Sequence, residues 1–107
     1  MTQEEIEGNK LIAEFKCTKS FDTYYDPEGQ FHFEILDSKY HSSWSWLMPV
    51  VNKIQKERPV FIASQNEIEH HCNIGIGRIQ IVGNSMINTV WLAVVEFIKW
   101  FNQNKPA

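Results

Sequence analysis

The final third of the chain contains a segment whose apolar residues repeat with helical spacing around most of a helix circumference. It spans residues 85–101, with Gly83-Asn84 as a preceding turn and Ser85 as the expected N-cap. At about 100° per residue, the apolar side chains form a stripe that is widened on both sides, comprising Met86, Ile87, Val90, Trp91, Ala93, Val94, Val95, Phe97, Ile98, Trp100 and Phe101. The expected polar side comprises Asn88, Thr89, Glu96, Lys99 and Gln103. An ordinary surface helix has an apolar arc of about 100° or a little more. This helix is therefore expected either to be central to a small domain or to share its surplus apolar face with a partner.

The start of the chain predicts a weaker helix. Thr2 and Glu5 fit a capping box, and sparse apolar positions continue to Phe15. Gly8 lowers the intrinsic helix propensity of this segment. We expect a short helix that packs on one side, and through Leu11, Ile12 and Phe15 it would cover the surplus apolar width of the final helix.

Turn signals and alternating segments predict strands in the middle of the chain. Residues 26–29 (Asp-Pro-Glu-Gly) are a strong turn signal, and residues 31–35 alternate as a strand. A second helix is expected from Ser42 or Ser43 to residue 54; Pro49 inside it implies a kink or a regular part that begins only about two residues earlier. Three further strands are expected at residues 60–63, 68–76 and 78–82.

These elements predict one α+β domain over residues 1–107, in the order α-β-α-β-β-β-α. The helices would pack on a small, largely antiparallel sheet, because short loops between the last strands favour hairpins. Cys72 should face the core and His71 the opposite side. The expected core comprises Phe33, Trp44, Leu47, Val51, Ile62, Cys72, Ile79, Ile81, Val90, Trp91, Val94 and Ile98.

Composition excludes several functional classes. The formal net charge is -3 and Lys and Arg form no run, so direct nucleic-acid binding is not expected. The chain starts without a basic and apolar leader and has no apolar stretch long enough to span a membrane. Two cysteines do not make a disulfide framework, and the expected location is cytoplasmic.

No pattern in the sequence points to catalysis. Adjacent residues of the His70-His71-Cys72 run point to opposite sides of a strand, so they do not converge on a metal. Neither cysteine lies where its pKa would be lowered, and the carboxylate pairs Glu67/Glu69 and Asp22/Asp26 lie in segments expected to be exposed or irregular. Residues 75–77 (Gly-Ile-Gly) lack the remaining residues of a nucleotide-binding loop. No enzyme, cofactor or metal site is predicted.

Aromatic residues supply the candidate binding positions. Aromatics make up 13% of the chain, and they serve either as an economical core or as a recognition surface. Tyr40, His41 and Trp46 form one candidate partner-binding patch. Phe97 and Trp100 form a second, if no other part of the chain covers them.

Three stretches resemble small proteins of Bacteroidetes phages, prophages and other mobile elements. They are residues 4–15, 40–54 (YHSSWSWLMPVVNKI) and 93–102 (AVVEFIKWFN). Where Asp commonly precedes the second Trp of the family pattern, this chain has Ser45. The resemblance implies no catalytic residue, but it favours an inhibitor of a bacterial antiviral defence complex, such as an RNA-guided (CRISPR) nuclease.

The function predicted is thus a non-enzymatic protein-binding module in the bacterial host cytoplasm. Its partner would be a host defence effector or the ribonucleoprotein that contains it. The alternative is a structural or assembly accessory protein of a phage or mobile element, including a homodimeric one. A small metal-binding protein or enzyme is the third and less favoured hypothesis.

Overall fold

The computed structural model describes residues 1–65, 68–75 and 78–104. In chain order the elements are α1 (Gln3–Lys16), β1 (Thr18–Ser20), β2 (Thr23–Asp26), β3 (Phe31–Glu34), a 3-10 turn (Ile35–Asp37), α2 (Trp44–Gln55), β4 (Val60–Gln65), β5 (Glu69–Ile74), β6 (Ile79–Gly83) and α3 (Met86–Asn104). The strands form two antiparallel sheets, ordered β1-β2-β3 and β4-β5-β6. The predicted α+β class is confirmed, with a second small sheet that the predicted order lacked.

The additional sheet comes from a segment that was expected to hold only a turn. β2 pairs with both β1 and β3. The turn predicted at residues 26–29 lies at residues 27–30, where it joins β2 to β3. Asp26 Oδ1 accepts the backbone N–H groups of Glu28 (3.0 Å) and Gly29 (3.2 Å) and so fixes that turn. Tyr24 is buried on β2 and its ring stacks on Phe33 of β3, with 5.7 Å between centroids.

The first helix begins with the predicted capping box. Thr2 Oγ1 accepts the Glu5 N–H, and the Glu5 carboxylate accepts the Thr2 N–H. Gly8 is buried where α1 packs on α3. A Cβ at residue 8 would lie 2.6 Å from Cη2 of the Trp91 ring, so the glycine allows the two helices to approach each other closely.

The second helix differs from its prediction at its start. It begins at Trp44, five residues before Pro49, so the shorter alternative is wrong. Ser43 occupies the N-cap position, but its hydroxyl contacts Ser45 Oγ (2.8 Å) rather than a helix N–H. Trp44, expected in the core, is exposed because it is the first residue of the helix and lies before the buried positions of this face, of which Leu47 and Val51 are fully buried.

The second sheet has the predicted register. Cys72 and Ile74 of the central strand β5 are fully buried on the inner face, the face on which α3 packs. Gly75 follows with a positive φ of 75°, as expected of a turn glycine. Expected strand residue Ile76, together with Gly77, lies outside the described residues. Ile79 and Ile81 line the same inner face of β6, half-buried against the core.

The final helix lies between the second sheet and α1, which makes it the centre of the structure. Val90, Val94 and Ile98 are fully buried, as predicted. Thr89, which was expected on the polar side, is also fully buried; its hydroxyl donates to the Ser85 carbonyl at 2.7 Å. A polar side chain can lie there because its hydrogen bond is made within the helix.

Candidate functional site

The first predicted patch is part of the hydrophobic core. Tyr40 is only 1% exposed. Its ring meets those of Trp46 and Phe33 edge-on, with centroids 5.1 Å and 6.1 Å apart, and Trp46 also contacts Phe31 at 5.3 Å. Trp46 is therefore the half-buried outer member of an aromatic cluster that joins α2 to the first sheet. Tyr40 has no free surface for a partner, which corrects its assignment as a contact residue.

His41 belongs to a hydrogen-bond network around a buried amide. Asn9 Nδ2 donates to His41 Nδ1 (2.9 Å) and to Ser38 Oγ (3.0 Å), while Asn9 Oδ1 accepts the indole N–H of Trp91 at 2.8 Å. Because the amide oxygen already accepts from Trp91, the amide nitrogen is the donor to His41. The half-buried His41 ring therefore has a structural role, because the network links the segment before α2 to α1 and α3.

The second predicted patch is covered from within the chain. Phe97 is 2% exposed, and Phe15 of α1 packs edge-on against both Phe97 and Phe101, at centroid distances of 6.5 Å and 5.6 Å. The expectation that Phe15 covers Phe97 from within the chain is confirmed. The assignment of Phe97 as a partner-contact residue is therefore wrong, because its side chain is buried. Trp100 is half-buried, and the guanidinium groups of Arg58 and Arg78 lie over its ring.

A buried ion pair that no sequence pattern indicated joins α1 to the first sheet. Lys16 Nζ lies 2.6 Å from Asp26 Oδ2, and both side chains are almost fully buried. Burial alone would raise the pKa of Asp26, but the hydrogen bond from Lys16 and the turn N–H groups outweigh it and hold that pKa below its usual range. The expectation that Asp26 lies in an exposed or irregular segment is wrong. Asp22 is exposed, and Glu67 lies outside the described residues.

The cysteines are poorly suited to nucleophilic chemistry. Burial raises the pKa of Cys72 to about 11. Burial also raises the pKa of the Cys17 thiol, against a smaller opposing effect of its contact with Tyr40 Oη. Thiols that stay protonated at neutral pH are weak nucleophiles and poor metal ligands.

The histidines of β5 bind neighbours on opposite faces of the sheet. His70 contacts Ser64 Oγ at 2.8 Å on the inner side, and His71 lies 3.1 Å from the Glu69 carboxylate on the outer side. This divergence is the one predicted for adjacent strand residues. Within residues 1–65, 68–75 and 78–104, no group of three or more His, Cys, Asp or Glu side chains could hold a metal ion.

The largest exposed apolar side chains of the second sheet lie on its outer face, opposite α3. Phe61 on β4 is 63% exposed and Val82 on β6 is 57% exposed. Between them, the central strand presents Asn73 and His71, which pair across the strands with Phe61 and Val82 respectively. This face therefore combines two apolar side chains with polar groups on the strand between them.

The edge strand β4 is exposed on both sides. Ile62 points to the inner face, opposite Cys72 on β5, yet it is 37% exposed. Its prediction as a core residue is wrong because α3 packs on β5 and β6 and leaves β4 beyond its cover. The apolar run at residues 60–63 predicts this strand but not its exposure, for which the one available signal is the absence of charge in residues 60–65.

Comparisons with protein-family models, with curated proteins and with solved structures give no match. In the part of the chain that the structure describes, every helix falls short of the length and apolar character that a membrane crossing needs.

Proposed function

We propose that this chain is a non-enzymatic protein-binding module whose contact surface is the outer face of β4–β6. The observation that carries the proposal is the exposure of Phe61 and Val82 on that face. Most of the chain's other aromatic side chains are engaged in internal clusters, whereas the Phe61 ring lies outside the core. Contact surfaces between proteins commonly place an aromatic or aliphatic anchor among polar groups.

The polar groups of this face suit protein recognition. Asn73 and Gln80 lie beside Phe61 in one cross-strand row, and His71 lies beside Val82 in the next. Amide and imidazole groups can both donate and accept hydrogen bonds. No Lys or Arg belongs to either row, and this supports a protein surface rather than a phosphate backbone as the ligand.

The finer proposal is an inhibitor of a bacterial antiviral defence complex, acting in the host cytoplasm. It is supported by the resemblance of residues 40–54 and 93–102 to proteins of phages and mobile elements. The chain would bind a protein component of a defence effector, such as an RNA-guided nuclease, and block its action. An accessory role in phage assembly is the alternative.

A plaque assay tests the inhibitor proposal. The chain is expressed in a bacterium that carries an active RNA-guided nuclease directed against a lytic phage. We expect the wild type to restore plaque formation and Phe61→Asp to abolish that effect. Leu36→Asp is the matched control, because Leu36 is also largely exposed (70%) but lies outside the second sheet. Failure of the wild type to restore plaques against several such nucleases would argue against this role.

Quantitative capture separates binding in general from inhibition in particular. Tagged wild type, Phe61→Asp and Leu36→Asp are compared for the bacterial and phage proteins that each retains. A protein retained by the wild type and the Leu36 variant, but lost with the Phe61 variant, supports the proposed surface, and its identity distinguishes a defence effector from a phage structural protein. Equal retention by all three proteins would place the binding surface elsewhere.

A further inference from the structure

Among the described residues, no strand lies beside the outer edge of β4, and this edge presents a row of backbone groups without a strand partner. The Gly75 N–H donates to the Pro59 carbonyl at 2.9 Å, and residues 59 and 75 continue the β4–β5 register. In an antiparallel pair, the residues that bond to the neighbouring strand alternate with those that do not. Residues 61, 63 and 65 therefore face β5. The N–H and C=O groups of Val60, Ile62 and Ser64 point away from the sheet.

The other strand edges are shorter or charged. β1 has three residues and contains Lys19, and β3 has four and contains Glu34. On β6 the same alternation leaves only the backbone groups of Gln80 and Val82 free. Charges and short lengths protect sheet edges against pairing with other strands. β4 (VFIASQ) has six residues and no charge, so it is the least protected edge among the described strands.

We propose that β4 pairs antiparallel with β4 of a second copy of this chain, about a two-fold axis at Ile62. In this register Ile62 opposes Ile62 of the second copy, and Val60 opposes Ser64. Each opposed pair exchanges two backbone hydrogen bonds, so every free group of the edge is satisfied. The two three-stranded sheets become one six-stranded sheet. The arrangement is isologous, as a two-fold dimer requires.

A second copy is the occupant that the side chains of β4 fit best. An uncharged strand meets itself without like-charge repulsion, which directly opposed charges would cause. The exposed Ile62 side chain, which α3 leaves uncovered, would pack against its own counterpart. On the outer face, Phe61 would lie beside Ala63 of the second copy and bring the two proposed partner-binding faces into one surface. The dimer does not depend on the proposed function, because it requires only the strand edge.

Sedimentation of the purified chain tests the dimer. A single strand pair buries little area, so we expect a weak dimer with a dissociation constant on the order of 10–100 µM. Ile62→Lys places two ammonium groups at the axis and should leave a monomer. Val82→Lys, on the far strand, is the matched control and should still dimerise. A wild type that stays monomeric at about 500 µM, well above that range, overturns the proposal.

A second variant tests the dimer without changing the Ile62 side chain. Ser64→Pro removes one edge N–H and the contact of Ser64 Oγ with His70. It leaves the backbone hydrogen bonds to β5 in place, because the N–H and C=O groups of residue 64 do not face β5. Proline is tolerated at such edge positions. We expect a folded monomer, with folding checked by circular dichroism. A Ser64→Pro protein that dimerises as tightly as the wild type would contradict pairing through this edge.

Disulfide trapping tests the register. In a Cys17→Ser, Cys72→Ala background, Ile62→Cys places two thiols on opposed residues with Cα atoms about 5.5 Å apart, within the range of roughly 4.4–6.8 Å that a disulfide spans. Phe61→Cys is the control, since its two copies would be diagonal neighbours about 7–8 Å apart. Rapid oxidation to a covalent dimer is expected for Ile62→Cys alone. Equal trapping of both variants, or of neither, overturns the register.

Discussion

Replacing Gly8 with alanine should destabilise the protein, although alanine is the better helix former. In an exposed helix the change would gain about 1 kcal/mol. Here the added methyl group would collide with the Trp91 ring, which is buried and held by its hydrogen bond to Asn9. Overpacking of this kind costs about 1–3 kcal/mol, and a broken buried hydrogen bond costs about 1–3 kcal/mol more. The net expectation is a loss of about 1–5 kcal/mol in the free energy of unfolding.

Urea unfolding of four proteins isolates this effect. Wild type, Gly8→Ala, Trp91→Leu and the double variant form a thermodynamic cycle. When the large ring is absent, helix propensity favours Gly8→Ala by about 1 kcal/mol, and the close approach of the new methyl group to Val95 Cγ2 (3.1 Å) opposes it. Gly8→Ala should therefore cost much less in the Trp91→Leu background than in the wild type. The reasoning is refuted if Gly8→Ala is as stable as the wild type, or if it costs the same in both backgrounds.

Three further predictions concern the first sheet. Because the pKa of Asp26 is lowered in the folded state, its pairing with Lys16 stabilises the fold fully above the unfolded pKa of about 4. This stabilisation is lost as the pH falls below that value, through the lowered pKa of the folded state. Asp26→Asn should therefore cost about 3–5 kcal/mol at pH 7. Urea unfolding at a series of pH values below about 4 should show that cost decreasing as the pH falls. The Tyr24 hydroxyl is buried with no hydrogen-bond partner among the described residues; thermal unfolding should show Tyr24→Phe to be at least as stable as the wild type. Phe21 has a positive φ of 55° in the β1–β2 turn, so Phe21→Asn should raise the free energy of unfolding by about 1 kcal/mol.

Periodic segments of the sequence were sufficient to predict part of this fold. The alternation around Cys72 gave the correct face for that residue, because one side of β5 is buried by α3 and the side-chain period of a strand is two. The helical repeat of residues 85–101 likewise gave α3, and its unusual width matched a helix packed on two sides. Local patterns of this kind depend on neighbours a few residues apart.

The errors came from contacts between distant segments. Ile62 has the same inward orientation as Cys72 and differs only in lying on the strand that α3 does not reach, which no local pattern encodes. The sequence around Asp26 indicates a turn residue. Its ion pair depends on Lys16, ten residues earlier, which lies beside it only in the folded chain. The sequence left both a core and a surface placement open for Tyr40 and Phe97, and the approach of Phe33 and Phe15 decides between these placements.

Site-specific photocrosslinking in living bacteria tests the central claim, that the second sheet is the interaction surface, most directly. A benzophenone amino acid is placed at Phe61 in one protein and at Leu36 in another. Position 61 should give covalent adducts, whose masses separate a second copy of the chain from a different protein, and position 36 should give none. Adducts from position 36 alone, or none from either position, would contradict the claim.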